Sequence, residues 1–418
     1  MIDVKINSAS FSFIGLFPYE KPALGQVLNQ QVYEPFDFYS NNKGYFDQKY
    51  YSNWIHSLFS NSEKNKVPHH LKLKKDSALF EKQLNLVVDG DEGVINFSIR
   101  EVNVFFFADN LGIFVIKIDL PKPHHNWKDI VRFGSTFRQS TINEKYEKAH
   151  LSVLLIEEFI ASKFHSDARS WRQYNPLLKS AIFVDIGEQL AEESLNKLLY
   201  LLGTYSMPFD DNDIYEPDED YYKGIVYENG ISIFKNWKAL CLYDSVCRIA
   251  VNLNSVDRHK LWEDEYILIY IYTLYARYFL HYLNNQLISL FNDGKLLTEQ
   301  RDRFYKFKNE FNHTKISYKF LPNVIYEKFK KTLDLEEEVL LIEEKLTRLS
   351  LLKQEKYQRR MNRILFMLTL LTLISVAYDG GQMLQKWEWS QSLKISIFIV
   401  VASFIIMVSL FYSKTKNK

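Results

Sequence analysis

The sequence predicts an α+β cytoplasmic domain followed by a long helix and a two-helix C-terminal transmembrane hairpin. Three observations lead to this fold class. Residues 102–108 and 113–120 carry β-type apolar patterns on either side of a short turn that contains Gly112, as antiparallel hairpins do. Residues 334–363 contain neither Pro nor Gly and are rich in helix formers. Two apolar runs, residues 364–378 and 393–412, lie near the C-terminus.

Composition narrows the classes of function. The chain has 418 residues, with 52 Lys+Arg against 51 Asp+Glu, so we expect no direct nucleic-acid partner held by phosphate contacts. Cys241 and Cys247 fit two reduced thiols better than a disulfide framework. The N-terminus lacks the pattern of a signal peptide, which predicts a soluble part in the cytoplasm. Nucleotide-binding and hydrolase motifs are absent, so we expect neither an enzyme nor a redox cofactor.

The soluble domain has its sheet early and its helices late, which is the α+β pattern. A second hairpin is predicted from residues 223–228 and 231–234 around Asn229-Gly230, followed by a strand-like run at 237–251. Helices are predicted at 152–164 and 187–202. The domain boundaries that follow are a cytoplasmic domain at 1–255, a helical stalk at 256–363, a transmembrane hairpin at 364–412 and a basic tail at 413–418.

Residues 262–291 form a further long helix whose length invites a third transmembrane assignment. Arg277, His281 and six tyrosines occur in it on several faces. Because arginine is rare inside a bilayer, we expect a buried soluble helix that packs against the helix starting at Asp334. His281 is interpreted as a core histidine.

The predicted helix at 334–363 changes character along one face. An apolar seam with alternating steps of four and three residues is followed by a basic stripe. The seam consists of Leu335, Val339, Ile342, Leu346 and Leu349, and the stripe consists of Lys353, Lys356, Arg360 and Arg363. The stripe suits lipid headgroups and cytoplasmic topology. A continuous helix would also give the soluble domain a mechanical route into the membrane.

Basic residues on the outer flanks of both apolar runs set the predicted topology. The run at 393–412 is about 30 Å long as a helix, and the run at 364–378 is shorter. By the positive-inside rule both termini are cytoplasmic, and the loop at 379–392 faces outward. The flanking residues are Arg359, Arg360, Arg363, Lys414, Lys416 and Lys418.

The first span carries a polar stripe on one helical face. Its members, predicted to line a pore in a symmetric oligomer, are Asn362, Leu365, Thr369, Thr372, Val376 and Asp379. Asp379 would form a carboxylate ring at the outer mouth and is the candidate metal ligand. In the alternative interpretation, the threonines bond to their own helix carbonyls and Asp379 is a solvated loop residue.

Two other features could hold a cation. Residues 210–220 are strongly acidic, but a solvated loop is the favoured interpretation because the spacing of an EF-hand is missing. The pairs His69-His70 and His124-His125 are placed in polar loops and carry little weight as metal sites.

The order of these parts resembles the CorA family of magnesium and cobalt transporters over roughly the last 160 residues. The resemblance implies a pentamer in the bacterial inner membrane, with the first span lining the pore and Mg²⁺ or another divalent cation as the ion. The family's Gly-Met-Asn triplet is absent, and its position holds Gly380, Gly381 and Gln382. Divergent CorA-like proteins also occur as membrane effectors beside type III CRISPR systems, which implies a nucleotide second messenger as activating ligand.

Three hypotheses follow. The leading one is a CorA-like oligomeric ion channel gated by a small-molecule or ion ligand at its cytoplasmic domain, in an antiviral role. The second is a divalent cation (magnesium) transporter in which Asp379 and Gln382 replace the filter. The third is a membrane-anchored binding module without a pore.

Overall fold

The computed structural model divides the chain into two compact units, Met1–Ser289 with Glu299–Ile342, and Leu290–Thr298 with Glu343–Lys418. The residues that the structure describes are 4–19, 27, 32–36, 51, 70–75, 77, 80, 84–87, 94–107, 110–120, 126–139, 155–164, 175, 177–206, 217–251, 261–289, 294–311, 313–386, 395, 398 and 402.

The first unit contains a mixed sheet of ten described strands. Their order across the sheet is β2-β3-β5-β6-β1-β7-β10-β9-β8, and β4 also pairs with β5. All neighbours are antiparallel except β7 and β10. The strands are β1 (Ile6–Pro18), β2 (Tyr33–Pro35), β3 (His70–Leu73), β4 (Leu84–Val87), β5 (Val94–Phe106), β6 (Leu111–Leu120), β7 (Lys179–Ile186), β8 (Gly230–Phe234), β9 (Trp237–Cys241) and β10 (Ser245–Val251).

The first predicted hairpin is confirmed. β5 and β6 pair antiparallel through contacts such as Val104 with Phe114, and β5 begins well before the predicted start. Asn110 adopts a left-handed φ of 60° just before β6, a conformation that asparagine tolerates better than most residues. β1 then lies between β6 and β7, which makes it a central strand of the sheet.

Side chains alternate along β1, so its odd and even positions lie on opposite faces of the sheet. On one face, Phe11 and Phe13 lie 5.2 Å and 6.2 Å from the ring of Phe133. On the other face, Ser10 donates a hydrogen bond to the buried Glu263 carboxylate. Arg100 forms an ion pair with the same carboxylate at 2.7 Å. The sheet therefore has side chains packed on both faces.

Four of the described helices lie between strands in the sequence, and four follow the last strand. They are α1 (Trp127–Phe137), α2 (a π-helical turn, Glu157–Ala161, continued by Ser162–Phe164), α3 (Glu192–Thr204), α4 (Glu219–Asn229), α5 (a π-helical start, Leu261–Tyr266, continued by Ile267–Ser289), α6 (Gly294–Phe311), α7 (Phe320–Thr332) and α8 (Leu335–Lys386).

Of the other local predictions, the strand at 223–228 is wrong and the rest are confirmed in part. Residues 223–228 belong to α4, because the Asp218 side chain caps the helix N-terminus and Tyr222 and Val226 are buried with a helical spacing of four. β8 therefore pairs with β9, and the run at 237–251 is two strands. The helix predicted at 187–202 begins only at Glu192. The helix predicted at 152–164 is present over its described residues, 155–164.

α5 is a buried helix of the α+β unit, as predicted from Arg277. Its tyrosines find partners within the unit: the Tyr272 hydroxyl donates to the Phe311 carbonyl oxygen at 2.9 Å, and Tyr270 contacts Phe329 of α7 at 4.9 Å between ring centroids. Arg277 forms an ion pair with Glu338 at 2.7 Å, at the start of α8. The prediction for His281 is wrong, since that side chain is exposed and bonds to Asn285.

Candidate functional site

The candidate functional element is α8, a continuous helix of 52 residues. At helical rise it is about 80 Å long, more than twice the thickness of the hydrocarbon layer. It begins after Asp334, whose φ of 51° turns the chain out of α7. Glu338 N–H donates to the Asp334 carbonyl oxygen at 3.0 Å and closes the first turn.

The apolar seam anticipated for this helix is buried where it was predicted. Leu335, Val339, Ile342 and Leu346 are buried, and Leu349 is half-buried. From Leu351 onwards the side chains become exposed, including the predicted basic stripe at Lys353, Lys356, Arg360 and Arg363. The helix therefore changes from a packed N-terminal part to an exposed basic part along its own length.

Ion pairs attach the first turns of α8 to the α+β unit. Arg277 pairs with Glu338, and both side chains are largely shielded from solvent, with 17% and 20% exposure. Lys330 of α7 lies 3.1 Å from Glu336. The Glu338 Oε2 atom has no hydrogen-bond partner among the described residues, so this carboxylate is held through one oxygen. The start of the helix is thus secured by charges as well as by its apolar seam.

The C-terminal part of α8 is a candidate membrane span by its length and composition. Among the described residues it is the one helix that is long and apolar enough to cross a bilayer, with a mean hydropathy of 1.7 over a window of which none is buried. The second predicted span, 393–412, lies outside the described residues except for 395, 398 and 402, and the two-helix hairpin stays a prediction.

The structure places all six predicted pore-lining residues on α8: Asn362, Leu365, Thr369, Thr372, Val376 and Asp379. All six are exposed in the single chain. The Thr369 hydroxyl donates to the Leu365 carbonyl oxygen and the Thr372 hydroxyl to the Thr369 carbonyl oxygen, each at 2.8 Å. This is the alternative that the sequence left open for the threonines. In this arrangement each hydroxyl donates its proton to a carbonyl oxygen, and each hydroxyl oxygen keeps lone pairs that can accept a further hydrogen bond.

The predicted outer loop does not begin at Asp379. The helix continues through Gly380, Gly381 and Gln382 to Lys386. The Gln382 amide donates to the Tyr378 hydroxyl at 3.0 Å, a contact of helical spacing. Two glycines weaken a helix by about 1 kcal/mol each, but without a proline they do not end it. The candidate filter residues therefore lie on the helix itself.

Other candidate ligand sites find no support among the described residues. Those residues contain no group of three or more His, Cys, Asp or Glu side chains that could hold a metal. Of the acidic segment 210–220, residues 217–220 are described, and Asp218 caps α4.

His70 was placed in a polar loop, but it lies buried in β3. Its Nε2 lies 2.9 Å from the Asn103 Oδ1 atom, and burial lowers its pKa to about 4. His69, His124 and His125 lie outside the described residues.

Both cysteines are buried free thiols, as predicted, although they lie on the adjacent strands β9 and β10. Burial raises the pKa of Cys241 to about 12, which keeps that thiol protonated and unreactive.

The pair of Arg277 and Glu338 is a feature that the sequence did not bring together. In the sequence, Arg277 served only as an argument against a membrane span, and no partner was assigned to it. An arginine on an otherwise apolar helix requires a buried anion nearby, and the acidic run Glu336–Glu338 was a signal for that anion.

Comparisons of this chain with protein-family models, with curated proteins and with solved structures find no match.

Proposed function

We propose that the chain is the subunit of a CorA-like oligomeric ion channel that its cytoplasmic domain gates. The observation that carries this proposal is the continuity of α8. One helix contains a buried apolar seam near its start, an exposed basic segment and an exposed apolar segment that is a candidate membrane span. In this proposal the channel is a homopentamer in the bacterial inner membrane, with both termini in the cytoplasm.

The physical basis of the gating is the stiffness of an uninterrupted helix. A displacement of the seam at Val339 and Ile342 is transmitted along the axis, because no proline or loop interrupts the hydrogen-bond ladder up to Lys386. The basic segment would hold the helix at the anionic headgroup level of the cytoplasmic leaflet. A ligand of the α+β unit, such as a nucleotide second messenger, would open the channel by shifting the populations of two packed states.

The polar stripe supports the pore assignment. Asn362, Thr369, Thr372 and Asp379 place an amide, two hydroxyl oxygens and a carboxylate on one helical face. Lipid cannot satisfy such groups, so this face would point towards water or towards other subunits. A ring of Asp379 carboxylates would favour cations, Mg²⁺ among them.

Ion flux through liposomes that contain the purified chain tests the proposal. Thr369→Leu combined with Thr372→Leu should reduce flux at least tenfold, because the stripe loses its lone pairs. Met367→Leu is the control, since it also places a leucine at an exposed position of this span but lies on the opposite face of the helix. Equal flux through both variants would contradict the pore assignment.

The threonine hydrogen bonds favour a second candidate, a membrane-anchored binding module without a pore. Hydroxyls that donate to their own helix carbonyls are compatible with lipid contact. In that case liposomes that contain the protein would show no ion flux under any condition, while the α+β unit would still bind its ligand. Constitutive, magnesium-selective flux that Asp379→Ala abolishes would instead indicate a divalent cation transporter.

A further inference from the structure

A cavity of about 650 Å³ opens at one end of the sheet, within the α+β unit. β1 ends there and β6 and β7 begin there, which brings Leu16, Leu111 and Lys179 to one side of it. α5 forms the opposite wall. The volume lies in the range of small-molecule sites, which is about 300–1,000 Å³. Leu333, also on the wall, lies two residues before α8, so an occupant would sit beside the start of that helix.

The charges at this cavity are predominantly positive. Asp244 accepts hydrogen bonds from Lys179 and, at 3.4 Å, from Arg138. Arg277, on the α5 wall, forms its ion pair with Glu338 at 2.7 Å. Of the described Lys, Arg, Asp and Glu residues that line the cavity, two are cations, Lys179 and Arg277, and one is a carboxylate, Asp244, so one positive charge is left over. A ligand that suits the cavity is therefore an anion.

Other residues that line the cavity carry aromatic rings or side-chain amides. Tyr243, Tyr278 and Tyr282 line the cavity, together with Asn285 and Gln286. The Lys179 ammonium lies 3.9 Å and the Arg277 guanidinium 5.7 Å from the centroid of the Tyr243 ring. Tyr243 is 46% exposed, so its ring remains accessible to a ligand. Tyrosine rings provide stacking surfaces, and the amides provide donors and acceptors for a heterocycle.

We propose that this cavity binds a small anion that carries a planar ring, of the size of a mononucleotide, and that the anion competes with Glu338 for Arg277. A ligand in the cavity would lie beside Arg277. The residue that the ligand would displace from Arg277 is Glu338, which lies on the first turns of α8. Glu338 is held through one oxygen only, which makes it a replaceable partner. The binding does not depend on the proposed channel function, whereas its effect on α8 as a gate does.

The test measures ligand binding to the full-length chain in detergent micelles by calorimetry. The probes are ATP, which has ring and charge; adenosine, which has the ring alone; and pyrophosphate, which has the charge alone. ATP should bind at least about tenfold more tightly than either fragment. No measurable ATP binding, or equal binding of ATP and one fragment, would overturn the ligand class.

Variants at the ion pair test the competition. Arg277→Gln should weaken ATP binding at least about tenfold, because a charge-assisted hydrogen bond is lost. Glu338→Gln should tighten ATP binding several-fold, because the competitor loses its charge. Tighter binding is not expected from a merely structural role, and it keeps the proposal testable if Arg277→Gln does not fold. Glu344→Gln, at an exposed ion pair with Arg348 on the same helix, is the matched control and should leave binding unchanged.

Unchanged ATP affinity in Glu338→Gln would overturn the competition, even if the cavity binds ATP. Since binding is measured in micelles without flux, failure of this inference is distinguishable from failure of the channel proposal. A chain that binds ATP as described but conducts no ions would be a ligand-binding module attached to the membrane.

Discussion

The ion pair of Arg277 and Glu338 should stabilise the attachment of α8 far more than a surface pair of equal geometry. The chain provides a matched comparison, because Arg348 and Glu344 also lie 2.7 Å apart. Their side chains are 74% and 59% exposed, against 17% and 20% for Arg277 and Glu338. Any difference between the two pairs therefore reflects burial rather than distance.

The expected magnitudes follow from the shielding of each pair. At an effective dielectric constant of about 20, two charges 4 Å apart attract by about 4 kcal/mol, from which desolvation of both groups is subtracted. A coupling energy of about 1–3 kcal/mol should remain for Arg277 with Glu338. The exposed pair, spaced by four residues on one helix, should give about 0.3–0.5 kcal/mol.

A double-mutant cycle measures these couplings. The free energy of unfolding is obtained from guanidinium titrations of the full-length chain in micelles, followed by tryptophan fluorescence. The variants are Arg277→Gln, Glu338→Gln and their combination, with Arg348→Gln and Glu344→Gln as the control cycle. Coupling energies that agree within about 0.5 kcal/mol between the two cycles would refute the argument from burial.

Two further predictions concern the stability of the α+β unit. Burial raises the pKa of Glu265 from 4.5 to about 7, so the native state retains a proton that the unfolded state loses. Stability contributed by the neutral carboxyl is present below pH 4.5 and is lost as the pH rises towards 7 and beyond. Glu265→Gln should therefore raise the midpoint of thermal unfolding more at pH 8 than at pH 5, and an equal change at both values would contradict this. Gly15→Ala should destabilise the unit by about 1–3 kcal/mol, because the added Cβ would lie 2.2 Å from the buried Phe114 ring. Gly224 lies in α4, and a Cβ added there would meet no neighbouring atom within 4 Å, so Gly224→Ala should instead stabilise the unit by up to about 1 kcal/mol. The same sign of change in both variants would contradict the packing argument.

Sequence patterns predicted correctly the elements that residues close together in the chain determine. The β5–β6 hairpin follows from alternation and a turn, and the buried seam of α8 follows from apolar residues at steps of four and three. Residues 223–228 were misassigned because strand propensity in Ile225 and Val226 concealed a helical spacing that the Asp218 cap and burial of Tyr222 decide. The outer loop was predicted to begin at Asp379 because the uncharged run ends there, whereas helix formers on both sides of the two glycines carry α8 to Lys386.

The sequence by itself determined that an α+β unit precedes a long helix with one segment of membrane character, because composition and periodicity along a continuous segment encode these features. Only the tertiary structure decided which distant residues meet. Arg277 and Glu338 are 61 positions apart, and Lys179, Tyr243 and Leu333 reach one cavity from three separate parts of the chain. Such contacts depend on the order of strands in the sheet and on the helix laid against its end, and no local pattern specifies either.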